Sequence, residues 1–319
     1  MAILKRGGTS RQMVDLQTGA LALADRLPAL VLEARRVAMT VMFGIHGRRR
    51  AGPGETFWQF RQLEQGDARQ LIDWRRSASS DRLFVREREW EAAHTAWLWA
   101  DQSPSMVFKS DLASTTKQDR ALVLMLAMAE LLIEGGERVG VMGLTSPSAQ
   151  RHPAERIAEK LFEEISAGRT MPSLPPDITM GRFSECILVS DFLEPVDVIA
   201  ERIGTFAAQG VRGHLVQVLD PAEETLPYDG RVEFLDLEGG EAMLSEWTEG
   251  IREQYRERLE AHRLALRQLA DRMQWSLLLH RTDRPPEQAM LALHRHISEG
   301  MHHAGALSRS MHQASEAPA

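Results

Sequence analysis

Between His94 and His280, short runs of continuous apolar residues alternate with segments of helical periodicity, and few folds accommodate that order. The runs are HTAWLWA, RVGVMGL (Arg138 to Leu144), ECILVSDF (Glu185 to Phe192), GHLVQVLD (Gly213 to Asp220) and QWSLLLH. A strand that is apolar on both faces must be covered on both faces. Between the runs, Lys117 to Glu134, Pro153 to Ile165, Pro195 to Ala208 and Thr248 to Met273 read as helices. Lys117 to Glu134 reads as amphipathic and is stopped by Gly135 and Gly136. Pro153 suits the first turn of its helix. The predicted fold class is α/β: a doubly wound, mostly parallel sheet with helices on both faces.

The flanks differ. Ala20 to Ala38 reads as a helix, with Leu23, Leu27, Leu30, Val31, Ala34 and Val37 at helical spacing. From Arg48 to Glu89 ten arginines stand against seven acids, a local positive excess in a chain of net charge −7. Glycines, Pro53 and scattered aromatics predict turns and short strands there. RVEFLDLEGGEAML predicts a β-hairpin, and Glu287 to about His303 a helix before a frayed tail. The expected boundaries are residues 1–90 for an initial helix and an arginine-rich module, 91–285 for the α/β domain, and 286–319 for a C-terminal helix and tail.

Composition narrows the function. A single cysteine, Cys186, excludes a disulfide scaffold, and net negative charge speaks against a general nucleic-acid binder. The longest apolar stretch, Ala121 to Ile133, is broken by Glu130 and falls short of the roughly 18 to 20 residues of a membrane helix. Lys5 and Arg6 precede polar residues instead of the apolar core of a secretory signal. A cytoplasmic protein with no membrane span is expected.

In an open α/β sheet, ligands bind beyond the carboxyl ends of the strands. Asp101 follows TAWLWA there, and Asp191 follows ILVS. In DQSPS, Asp101, Ser103 and Ser105 alternate, so their oxygens can face one crevice, and Asp191 adds a second carboxylate from another strand. Hard oxygen donors suit Mg²⁺, with Mn²⁺ or Ca²⁺ as alternatives. The same residue types also start helices and turns, so the motif alone leaves that reading open. No Walker A, G-x-G-x-x-G or G-x-S-x-G sequence is present. Late histidines (His294, His296, His302, His303 and His312) read as a solvated tail or, with His296 and His303 on one helical face, as transition-metal ligands.

DQSPSM after an apolar strand resembles the metal-ion-dependent adhesion site (MIDAS) of von Willebrand factor type A domains. The segment upstream is similar to the DUF58 family, with Arg61, Gly66, Asp67, Arg69, Ile72, Asp73, Trp74, Ser77 and Ala78 matching its core motif. VLDPAEETLP and EQYRERLEAH are also similar to it, and the resemblance covers roughly Leu27 to Arg284. It implies a magnesium site made by Asp101, Ser103, Ser105 and Asp191, completed by a threonine on a loop between the two aspartates. Thr170, in Ala167-Gly168-Arg169-Thr170, is the candidate, although an arginine stands where a glycine is usual; Thr145 is the alternative. What it implies for function is a protein-interaction module that binds a partner's carboxylate through the metal and works, chaperone-like, with a MoxR-type AAA ATPase or its client. The arginine-rich module is expected to pack beside the domain, with Arg61, Arg69, Arg75 and Arg76 pairing to acids including Asp67 and Asp73. Two rivals stand beside this reading: a Mg²⁺-dependent hydrolase or phosphotransfer enzyme using Asp101 and Asp191, and a structural domain whose metal site is vestigial.

Overall fold

The computed structural model describes residues 2–4, 12–46, 57–63, 72–78, 82–88, 94–167, 172–235 and 243–298. In chain order the elements are β1 (Ala2–Leu4), α1 (Gln12–His46), β2 (Phe57–Gln62), α2 (Trp74–Ser77), β3 (Phe84–Arg88), β4 (Thr95–Ala100) and α3 (Lys117–Glu134). There follow β5 (Arg138–Val141), β6 (Thr145–Ser148), α4 (Pro153–Ser166), β7 (Glu185–Ser190), α5 (Val196–Ala208), β8 (Arg212–Leu219) and α6 (Pro221–Thr225). Then come β9 (Val232–Leu235), β10 (Met243–Ser245), α7 (Thr248–Arg272), β11 (Ser276–Arg281) and a last helix, α8, over residues 286–298.

Each apolar run becomes a strand of one six-stranded sheet, ordered β11-β8-β7-β4-β5-β6. All pairings are parallel except β5 with β6. RVGVMGL is a shorter strand than its apolar residues suggest. Gly143, with φ +71, turns the chain, and Thr145–Ser148 return as an antiparallel edge strand. Pro147 is tolerated there because an edge strand has one unpaired side. From β4 the chain moves outward to β5, then back across to β7, so the strand order reverses between β4 and β7. That reversal opens a crevice at their carboxyl ends.

One face of the sheet buries Trp99, Leu188 and Leu215 against Ile199, Ile203 and Phe206 of α5 and Leu266 and Leu269 of α7. There Gly213 lets the Trp275 ring lie on the backbone, since a Cβ would sit 1.9 Å from the ring. The other face carries α3, with α4 beside it. The spacing of α3 predicts an amphipathic helix, yet all but three of its eighteen residues are buried. The reason is α1, which lies over its outer side, ion-paired through Arg26–Asp119 (3.1 Å) and Arg35–Glu130 (3.5 Å). Leu23, Leu27, Leu30, Val31, Ala34 and Val37 are buried as their spacing predicts, in a helix longer than Ala20 to Ala38 that contains Pro28.

The hairpin β9–β10 forms and pairs with β1 as a small antiparallel sheet. Val232 and Phe234 bury a minor core with Phe108 and Leu226.

The chain divides into two compact units, Ile45–Ala93 and the remainder. The larger unit therefore holds α1 and α8 with the sheet, whereas composition groups α1 with the arginine-rich segment. In the smaller unit β2 and β3 pair antiparallel. Asp73 caps α2 by accepting the Arg76 N–H (3.0 Å), and the Ser77 hydroxyl accepts the Phe84 N–H (2.9 Å). The Arg76 guanidinium stands 5.4 Å from the centroid of the Phe84 ring. Gly66, Asp67 and Arg69 lie outside the described residues. Among the described residues, no helix is long and apolar enough to cross a membrane.

Candidate functional site

Parallel pairing of β4 with β7 sets their ends side by side, and the Asp101 N–H donates to the Val189 carbonyl (2.8 Å). The Asp101 carboxylate accepts the Ser103 N–H at Oδ1 (2.8 Å) and the Ser190 hydroxyl at Oδ2 (2.6 Å). Ser103 Oγ lies 3.1 Å from Ser105 Oγ, and the Ser105 hydroxyl donates to Asp191 Oδ2 (3.0 Å). Asp101, Ser103, Ser105 and Asp191 are thus linked in one series of contacts, through the Ser103 N–H at one end and the two serine hydroxyls at the other. Ser103 stands at the N-cap of the 3-10 turn Pro104–Val107, but its hydroxyl caps nothing. Helix initiation therefore does not account for that hydroxyl.

Asp191 is aimed by a strained turn. Phe192, the next residue, adopts φ +47, a left-handed conformation costly for a bulky side chain. Three hydrogen bonds hold it there: Phe192 N–H to Ser190 Oγ (3.0 Å), Gln217 Nε2 to the Asp191 carbonyl (2.8 Å) and His262 Nε2 to the Phe192 carbonyl (2.6 Å). Asp101, Ser103 and Asp191 are buried and Ser105 is half-buried, so solvent meets the cluster on the Ser105 side.

Two further charged residues join the cluster that sequence reasoning passed over. Lys117, the first residue of α3, is fully buried, and its Nζ donates to Asp191 Oδ2 (2.9 Å) and Glu223 Oε1 (2.6 Å). Glu223 Oε2 accepts the Asp220 N–H (2.9 Å), completing a capping box with Asp220 at the start of α6. Both left a trace in the sequence. A lysine in the first turn of a helix opposes the helix dipole, and Asp220-Pro221-Ala222-Glu223 has the spacing of a capping box.

Burial, and then the nearby Asp191 charge, push the Asp101 carboxyl up to about 7 against the hydrogen bonds it accepts. Burial also opposes ionisation of Asp191, but the Lys117 ammonium outweighs it and holds Asp191 below the usual range. For Glu223 burial wins, and its carboxyl is raised. Lys117, which burial alone would discharge, is held well above its usual value by Glu223 and Asp191 and stays charged. Asp191 and Glu223 share the one ammonium, and Asp101 stands beside Asp191 without a cation of its own, so the carboxyl groups of the cluster outnumber its positive charge. Hard oxygen donors with that charge deficit can take a small divalent cation that keeps some of its waters. Among the described residues no three His, Cys, Asp or Glu side chains group as a metal site, so the donor set depends on the serine hydroxyls.

The remaining sequence candidates fare differently. Thr170 and Arg169 lie outside the described residues. The Ser173 hydroxyl donates to Glu194 Oε1 (2.7 Å), three residues after Asp191. Thr145 is not drawn to the cluster: its Oγ1 accepts the Val141 N–H (3.1 Å) in the β5–β6 turn. His294 and His296 lie on α8, while His302, His303 and His312 are outside the described residues. Cys186 is fully buried, its thiol pushed well up by burial, and acts as a small hydrophobe.

Uncharacterised proteins of Mycobacterium bovis and Mycobacterium tuberculosis are each 26% identical to this chain over 275 residues, which is 82% of this chain and 86% of theirs. Among solved structures, the conserved hypothetical protein BatB of Bacteroides thetaiotaomicron is similar over 66% of this chain and 99% of its own, with 16% identity and a TM-score of 0.35. That likeness is too slight to carry an argument. A family model described as a protein of unknown function, DUF58, matches residues 59–265. With that match spanning more than half its length, the chain belongs to the DUF58 family.

Proposed function

We propose that this protein is an interaction module with a von Willebrand factor type A-like domain, binding a partner's Asp or Glu through a Mg²⁺ ion at the ends of β4 and β7. The observation that supports this most is the convergence of Asp101, Ser103, Ser105 and Asp191 within a chain of contacts of 2.8 to 3.1 Å. The serine hydroxyls and the two carboxylates would hold the ion, and Thr170 would complete the set. When bound, the ion supplies a coordination position open to a carboxylate from outside. The chain's own residues orient the donors: Ser190 holds Asp101, while Lys117 and the Phe192 turn hold Asp191. The half-buried Ser105 side gives an incoming acidic side chain its approach. The partner in this reading is a MoxR-type AAA ATPase or its client, in the cytoplasm.

Surface plasmon resonance with the MoxR-type ATPase of the same organism, free of nucleotide, tests the reading. Binding should occur in Mg²⁺ and vanish in EDTA and in Asp101→Ala; equal binding in EDTA would overturn it.

One observation favours the enzyme reading. A carboxyl near 7, as at Asp101, lies in the range of a general acid or base. Against it, Asp101 is buried and both its oxygens already accept hydrogen bonds, from the Ser103 N–H and the Ser190 hydroxyl, which suits a carboxylate held in place better than one that exchanges a proton with a substrate. Phosphate-ester hydrolysis that requires Mg²⁺ and is lost in Asp101→Asn would reverse this preference.

A further inference from the structure

We infer that Lys117 is a tethered counter-ion that competes with the divalent cation for Asp191, and that Glu223 tunes the competition by holding the same ammonium from the other side. This rests on the metal reading above and adds to it how the affinity of the site is set.

The geometry is specific. Asp191 Oδ2 already accepts two donors, Lys117 Nζ and the Ser105 hydroxyl, so a cation drawing on that oxygen must displace one of them or share it. Asp191 Oδ1 is engaged by the Leu193 N–H (3.3 Å). The ammonium has somewhere to retreat. Its contact to Glu223 is the shorter of the two, and Glu223 is fixed by the capping box and cannot follow the metal. A lysine suits this task because its ammonium is a compact charge on a flexible stem, able to shift between two acceptors without losing the first.

The consequence for the fold is as definite. Removing one partner of a buried ion pair leaves an uncompensated charge. Without Lys117, Asp191 and Glu223 would face each other unbalanced in the interior. With it, the cluster stays assembled when no metal is bound, so the ion governs partner capture instead of folding. An ion entering the site must also outcompete an ammonium, which favours a doubly charged cation over Na⁺ or K⁺.

The test is calorimetric titration of the full chain with MgCl₂, alongside thermal melting in EDTA and in Mg²⁺. Lys117→Met should bind Mg²⁺ about tenfold tighter or more, because a like charge is removed from beside the ion. Its melting temperature should drop in EDTA and recover in Mg²⁺, a larger gain than the native chain shows between the same two conditions. Glu223→Gln should bind at least about threefold more weakly, since the ammonium then leans on Asp191 alone. Opposite signs from two sides of one bridge are not what a merely structural bridge would give. A folded Lys117→Met with unchanged or weaker Mg²⁺ binding, or a Glu223→Gln with native affinity, would overturn the inference. If Lys117→Met does not fold even in Mg²⁺, Glu223→Gln decides the matter alone. If the native chain itself gives no heat with Mg²⁺, the metal reading fails first and takes this inference with it.

Discussion

Replacing Asp101 by Asn should stabilise the metal-free protein while ending its response to Mg²⁺. The folded chain holds the Asp101 carboxyl at about 7 against an ordinary value of 3.8. Between those values the folded state keeps a proton that the unfolded chain has released. Stability therefore falls as pH rises from about 4 to about 7, and the full cost is present above that. Three pH units correspond to about 4 kcal/mol at pH 8. Asparagine carries no charge at any pH, and its oxygen can still accept the Ser103 N–H. In EDTA, the variant should thus gain about 4 kcal/mol over the native chain at pH 8 and almost nothing near pH 4. Urea denaturation at both pH values reads this directly, and repeating it in Mg²⁺ should stabilise the native chain alone. A variant less stable than native at pH 8 in EDTA, or one that Mg²⁺ still stabilises, would refute the reasoning.

Other outcomes follow from the same contacts. Asp191→Asn leaves Lys117 with Glu223 alone, so metal-free stability should fall by about 3 kcal/mol, the opposite sign to Asp101→Asn; urea midpoints in EDTA would show it. His280 is pushed down to about 4 by burial and by the charge of Arg120. Its contribution is intact above about pH 6.5 and is lost as pH falls toward 4, about 3 kcal/mol in all. His280→Gln should flatten that part of the stability profile between pH 7 and 4.5, and an unchanged slope would contradict it. Gly213→Ala drives a Cβ into the Trp275 ring and should cost about 1 to 3 kcal/mol; a native melting temperature would show that the ring yields freely.

The strands were readable because parallel strands covered on both faces leave uninterrupted apolar runs, and Asp101 and Asp191 could be placed because each ends such a run. Their convergence depended only on two strands being neighbours, which alternation of strands and helices makes common. Other features depend on partners distant in sequence. The burial of α3 on all sides comes from α1, whose docking no local pattern of Lys117 to Glu134 encodes. The β6 strand is too short and polar to read, and pairing with β5 alone defines it. Lys117 and Glu223 belong to the cluster through a contact between residues 106 positions apart. Periodicity places such residues on helices but says nothing of what their ends touch. Thr145 is an alternative by its place after the Arg138 to Leu144 strand, and the turn bond its oxygen accepts from the Val141 N–H has no sequence signal.

The central claim is tested most directly by diffraction from crystals soaked in Mn²⁺, which substitutes for Mg²⁺ and scatters anomalously. The account expects a single strong anomalous peak within coordination distance of the Ser103 and Ser105 hydroxyls, beside the carboxylates of Asp101 and Asp191. An empty cluster with Lys117 still bonded to Asp191, at Mn²⁺ concentrations that saturate ordinary sites of this kind, would contradict it.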